Sequence, residues 1–155
     1  MYTDNEYKWV AVLNRTTPLP QLLNAMAHLA LGMPRQCHEV TASQFHDYQG
    51  PDQRLLATIS HWPVIVLQAK NTNQLRTLRS AALAVGLTCQ AFTDTMLGPS
   101  AEAQIQKTKT TPEDDVEYVA VFLFGRQEDM QGLTKKFSLF TQPNAVGNPK
   151  GTDSL

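Results

Sequence analysis

This chain has almost no net charge: 13 Lys and Arg stand against 14 Asp and Glu in 155 residues, for a formal net charge of −1. Phosphate affinity comes mainly from clustered cations, so no global field draws a nucleic acid here and any such partner must be met by a local patch. Lys107, Lys109, Lys135 and Lys136 supply the densest positive charge. Cysteine is scarce as well. Cys37 and Cys89 are far apart, lie in apolar surroundings and form no Cys-x-x-Cys pair, so both are expected to be reduced and buried. His38, His46 and His61 neither repeat at the i, i+4 spacing of a helical metal pair nor join a cysteine cluster, so no metal site and no cofactor is expected. No apolar run approaches the ~18 residues of a membrane span. Met1 to Tyr7 is acidic and polar, unlike a signal peptide, which predicts a cytoplasmic protein without a membrane partner.

What is present is enough for a core. With 42% apolar and 17% charged residues, one domain over 1–140 can bury its own interior without disulfides or metal. Residues 141–155 are rich in Gly, Pro, Asn, Ser and Thr and are expected to be a flexible tail, having too few apolar groups to offset the entropy of ordering.

The clearest local pattern is a strand-helix-strand unit. Pro63 to Ala69 is an apolar strand, Asn71 to Val85 is amphipathic, and Leu87 to Phe92 is a second strand running into Thr93-Asp94-Thr95. Such a unit is normally a parallel crossover, which brings both strand ends to the same edge of a sheet. Asn71 or Thr72 can cap the helix, Leu75, Leu78, Ala82 and Val85 form its buried stripe, Arg76 and Arg79 fall on the solvent side, and Gly86 supplies a left-handed stop. Lys8 to Asn14 is almost continuously apolar, which suits a central strand covered on both faces. A first helix is expected from about Thr17, with Pro18 or Pro20 in its opening turn, to before Gly32, burying Leu22, Met26, Leu29 and Met33. Cys37 to Val40 reads as a short edge strand and Gln49 to Asp52 as a turn. Val116 to Phe124 is another apolar strand, and Glu128 to Phe140 begins as a helix with Met130, Leu133 and Phe137 facing inward. These pieces fit a three-layer α/β/α domain.

Three local strings, taken in order, resemble a known superfamily. Trp9-Val10-Ala11-Val12-Leu13 followed by Asn24 to Ala30 is similar to a valine-rich strand and an Ala-Gln-x-x-His-Ala helix. The middle unit ends in Asp94, and Gly132 to Phe140 is similar to a Val-Thr-Gly-His-Leu-Lys-Leu ending. Together they resemble the type-II peptidyl-tRNA hydrolases, and more closely their bacterial offshoot, domain of unknown function 2000. The resemblance implies a four-stranded mixed sheet whose last strand, Val116 to Phe124, is antiparallel to the others. It also implies that His28, Asp94 and Thr95 occupy catalytic positions. The hydrolases carry a loop lysine seven residues before the helix histidine; here that position is Gln21, preceded by Pro18-Leu19-Pro20. The obvious cation for phosphate attraction and for a developing oxyanion is therefore gone, which disfavours tRNA as a partner. Arg15 lies nearby, but a guanidinium cannot serve as a proton-transfer base.

From the residues themselves, Asp94 at the carboxyl end of a parallel strand points to the ligand crevice of an open α/β sheet, or equally to an Asx-type turn. Thr93 and Thr95 can bond a ligand or the local backbone. His28 is either a ligand-facing group or a helix residue bonded to a carbonyl. Three readings follow. The first is a non-hydrolytic domain binding a small polar ligand through Asn14, Arg15, Gln21, His28, Thr93 and Asp94. The second is an ester hydrolase in which Asp94 positions water and Arg15 or backbone amides hold the oxyanion. The third is a structural or interaction protein working through a homodimer surface.

Overall fold

The computed structural model describes residues 3–37 and 44–141. Chain order is β1 (Tyr7–Asn14), α1 (Leu19–Gly32), β2 (Phe45–Gln49), β3 (Leu55–Ser60), β4 (Val64–Ala69), α2 (Thr72–Ala84), β5 (Thr88–Thr93), α3 (Ala101–Thr110), β6 (Tyr118–Arg126), α4 (Gln127–Thr134) and β7 (Ser138–Leu139). Short 3-10 turns occupy Met33–Gln36, Asp94–Met96 and Glu113–Asp115. The expected edge strand at His38 to Val40 and the expected tail beyond Thr141 lie outside the described residues.

β1 occupies the middle of a five-stranded sheet of order β5-β6-β1-β4-β7. It pairs parallel with β4, Trp9 against Val64 through Asn14 against Ala69, and antiparallel with β6 on its other side. Trp9, Ala11 and Leu13 meet Leu22, Ala25 and Leu29 of α1, whereas Val10 and Val12 meet Leu75, Leu78 and Ala82 of α2 and Met130 of α4. The alternation of a pleated strand thus feeds two cores, one on each face, and the three layers expected from the pattern are present.

The sheet has five strands rather than the four expected. The helix with which Glu128 to Phe140 is expected to begin runs from Gln127 to Thr134, and Ser138–Leu139 then pairs antiparallel with β4. Phe140 N–H continues this pairing to the Val66 carbonyl (3.0 Å). Open hydrogen-bonding groups on the rim of β4 win over the helical spacing of Met130, Leu133 and Phe137, and two residues are too few to leave a period-two signal. β6 does run antiparallel to its neighbours, two residues later than the sequence suggests. β4 and β5 point the same way, yet β1 and β6 lie between them, so the α2 connection passes over two strands and leaves β5 on the rim.

Two side-chain expectations along α2 are also corrected. Val85 is 61% exposed, because it is the helix C-cap and lies past the last turn that packs on the sheet. Arg76 and Arg79 are half-buried rather than on the solvent side. Each is the next residue after a buried Leu, so its long stem lies along the flank of the core. The opposite end follows expectation: Asn71 Oδ1 accepts from Gln74 N–H (3.1 Å) and caps the helix.

The β2–β3 hairpin is a separate two-stranded sheet, turning through Gly50 to Arg54. It is attached through Trp9 Nε1 donating to Ser60 Oγ (2.9 Å) and through Trp62 against the Tyr7 ring (5.1 Å between centroids). Tyr48 and Ile59 share one face by register and are 53% and 49% exposed, while Leu55, paired with Gln49 beyond a register shift, is 54% exposed.

α2 ends in a Schellman arrangement: Leu87 N–H donates to Ala82 O (3.0 Å) and Gly86 N–H to Leu83 O (3.1 Å), with Gly86 at φ 76°. No atom lies within 4 Å of where a Cβ would sit, so Gly86→Ala tests backbone conformation alone. The variant is expected to lose about 1 kcal/mol in denaturant unfolding, with Gly86→Asn recovering part of it.

Candidate functional site

β5 carries a large concavity. A groove of about 880 Å³ is lined by five consecutive residues of this strand, Cys89 to Thr93, and by groups from either side of the sheet. Asn24, His28 and Leu29 of α1 approach from one side, and Arg79 of α2 with Val116 and Tyr118 from the other. Thr95 to Gly98 and Gln104 and Thr108 of α3 close one end. His28 is exposed at the rim with its ring near-parallel to Phe92, 6.1 Å between centroids.

A row of hydroxyls enters the groove with a fixed polarity. Thr108 Oγ1 donates to the Gln104 carbonyl (2.8 Å), which uses its only proton. Thr95 Oγ1, 2.8 Å from Thr108 Oγ1, must therefore donate to it, and Thr93 Oγ1, 2.7 Å from Thr95, must donate to Thr95. Thr93 is left with acceptor capacity only. Thr95 is fully buried and Thr93 nearly so, at 6% exposure, so the row is held rigidly.

Asp94 is used differently. Its N–H donates to Glu117 O (2.9 Å) and its Oδ1 accepts from Glu117 N–H (3.1 Å), bracketing the register shift between Phe92 and Thr93. The network continues away from the groove. Thr72 Oγ1 donates to the Glu117 carboxylate and accepts from Tyr118 N–H (3.2 Å), while Asn14 Nδ2 donates to Tyr118 O (2.9 Å). Asn14 Oδ1 also accepts from the N–H (3.1 Å) and hydroxyl (2.8 Å) of Thr16. Asn14 and Glu117 border a smaller cavity of about 280 Å³ with Asn71, Thr72 and Arg76. Arg15 borders a third, of about 300 Å³, with Gln68 and Phe140.

The sequence-derived candidates therefore separate. His28, Thr93 and Thr95 share the large groove, Asn14 and Arg15 each border a different cavity, and Gln21 and Asp94 line none of the three. Arg79, Gln90, Thr108 and Tyr118 line the groove without having been singled out as site residues. The position of β5 at the rim decides their role, and no local pattern reports it.

Charge in the groove is contributed by Arg79 and Glu113. The Tyr118 hydroxyl donates to the Glu113 carboxylate, and its pKa is raised by burial and by that bond. Arg76 donates to Val116 O (2.9 Å) and Glu113 O (3.2 Å), pinning the segment that carries Glu113. Burial pushes the Cys89 thiol from the ordinary 9.0 up to about 11, against the lowering effect of the Arg79 charge, so it is neutral near pH 7 and a poor nucleophile. No group of three or more His, Cys, Asp or Glu able to hold a metal occurs among the described residues, and no helix there is long and apolar enough to cross a membrane.

Because the native Cys89 pKa lies above the unfolded value, its contribution to stability is complete below about pH 9 and is lost as pH rises through about 11. Alkylation of native protein by iodoacetamide is expected to be slow at Cys89 at pH 8 and to accelerate toward pH 11, as read by peptide mass. Fast modification at pH 8 would contradict the burial argument.

Residues 7–141 match the family model described as protein of unknown function, DUF2000, and the chain belongs to that family. A solved structure of a protein of unknown function from Agrobacterium tumefaciens strain C58 superposes with a TM-score of 0.75 at 20% identity, covering 88% of this chain and 98% of that one. That likeness concerns the fold. No curated protein matches in sequence.

Proposed function

We propose that this chain is a non-hydrolytic binding domain, on a scaffold like that of the type-II peptidyl-tRNA hydrolases, which holds a small polar ligand in the groove beside β5. The observation that carries the reading is the groove itself: about 880 Å³ lined by donors and acceptors from His28, Gln90, Thr93 and Gln104, with no base paired to a nucleophile. Asp94, the natural base, spends its Oδ1 on the Glu117 backbone, and the Cys89 thiol is held neutral. The position of the hydrolases' loop lysine is Gln21, which removes the cation that an ester-cleaving site would use on its oxyanion.

The test is mass spectrometry on protein purified under native conditions. A retained polar small molecule is expected, with retention falling at least tenfold in His28→Ala and in Thr93→Val while both variants stay folded by circular dichroism. Ester turnover by the wild-type protein that vanishes in Asp94→Asn would overturn the reading in favour of a hydrolase acting on an ester such as peptidyl-tRNA. Asn keeps the acceptor that Glu117 N–H needs, so this variant separates chemistry from folding.

The hairpin favours a second reading, an interaction protein that pairs with its own copy. Two-stranded ribbons are marginal alone, and Phe45, Tyr48, Leu55, Leu56 and Ile59 are each at least 41% exposed on this one. The register puts Tyr48 and Ile59 on one face and Phe45 and Leu55 on the other, and a second copy packed on the Tyr48 and Ile59 face supplies the apolar part of a two-fold interface of ~800 Å² per partner. Sedimentation is expected to report a dimer at micromolar concentration that Tyr48→Glu with Ile59→Lys reduces to monomer. A wild-type protein that stays monomeric at 100-fold higher concentration would remove this reading.

A further inference from the structure

We propose that the natural occupant of the groove is an extended peptide segment, which adds to β5 as an extra strand. The inference rests on the reading of this groove as a binding site and assigns it an extended ligand in place of a compact one. Successive residues of a strand point to opposite faces of the sheet, so a cavity lying over one face is lined by alternate residues only. Here Cys89, Gln90, Ala91, Phe92 and Thr93 all line a single cavity, flanked by α1 on one face of the sheet and by Arg79, Val116 and Tyr118 on the other. A cavity with that lining faces the rim of the strand, where its backbone N–H and C=O groups emerge.

Those groups are available. β5 pairs with β6 from Thr88 to Thr93, and among the described residues no other backbone hydrogen bond reaches these six positions. Rim strands are usually guarded by Lys, Pro or inward charge, and Thr88 to Thr93 contains none of these. At roughly 3.3 Å per residue the five lining residues run about 16 Å, which gives a groove of about 880 Å³ a mean section of roughly 55 Å². One strand, with ~4.8 Å to its neighbour and ~10 Å between packed layers, occupies about 48 Å². A compact ligand would leave most of that length unfilled.

The side chains suit a peptide as well. Thr93 Oγ1, reduced to an acceptor by the hydroxyl row, takes a peptide N–H, and the Gln90 and Gln104 amides offer both donor and acceptor. His28, Leu29 and Leu97 line space for residues of the incoming strand that project toward α1. Main-chain pairing supplies affinity in this mode and flanking pockets supply selectivity.

The experiment measures amide hydrogen exchange by NMR on the full chain, with a pool of random ten-residue peptides capped at both ends. A second pool is N-methylated at alternate backbone positions. The first pool is expected to slow exchange at alternate amides within Cys89 to Thr93 at least fivefold, and the second to have no effect. His28→Trp and Asn24→Trp, both at exposed α1 positions, are expected to remove the protection while amides bonded between β5 and β6 stay unchanged. Equal protection by both pools would overturn the proposal, since the backbone would not be what is read. Protection that grows with protein concentration and needs no peptide would assign the rim to a second copy and likewise overturn it. If peptides give no protection but a small molecule retained by native protein is lost in His28→Ala, this inference falls and the binding reading stands. Absence of both effects removes the two together.

Discussion

β1 is hydrogen-bonded along both sides and covered on both faces, and satisfying those four demands at once determines the rest of the molecule. The parallel pairing of β1 with β4 needs a crossover between them, which contains α1, and α2 then carries the chain on from β4 to β5. The antiparallel partner of β1, β6, takes the other side, and the strand that follows α2 enters the sheet beyond β6, leaving the far side of β4 to the two-residue β7. β5 is thereby sent to the rim. The open row of backbone groups there, and the groove that runs along it, are consequences of how the centre of the sheet is filled.

The polar residues near the carboxyl ends of the strands divide between two tasks. Asn14, Thr72, Asp94 and Glu117 bond mainly to one another and to the backbone of Glu117 and Tyr118, where the β5–β6 ladder loses its regular register. The carboxylate of Asp94 accepts the Glu117 N–H and so fixes the turn after β5 to the start of β6. Thr93, Thr95 and Thr108 form the second group. Their protons are committed in one direction, which turns three interchangeable hydroxyls into a rigid row ending in an acceptor. Neighbouring residues of one turn, Asp94 and Thr95, thus belong to different networks.

Much of the fold could be read from local pattern. The continuous apolar run of β1, the Asn71 cap, the Gly86 stop and the stripe Leu75, Leu78, Ala82 are each specified by residues a few positions apart. The β2–β3 hairpin was visible only as a turn, because Phe45 to Ser60 alternates weakly and both its faces remain partly open. α3 was missed for a related reason: none of its residues is buried, so it carries no apolar stripe for a periodicity to report. β7 is two residues long and exists because β4 has an open rim.

The site was less legible than the fold. His28, Thr93 and Thr95 were reached from a strand ending and a family likeness, but Arg79, Gln90 and Tyr118 join them only because α2 and β6 happen to flank β5. Sequence by itself determined that β1, β4, β5 and β6 are strands and α1 and α2 helices, where α2 begins and ends, and that β1 is central, since hydrophobic period and capping chemistry act over a turn or two. Tertiary structure alone decided the order of strands in the sheet, hence which strand is left with a free side. It also decided whether the carboxylate of Asp94 faces a ligand or a neighbouring backbone. Those outcomes depend on pairings between residues more than twenty positions apart, which no local pattern encodes.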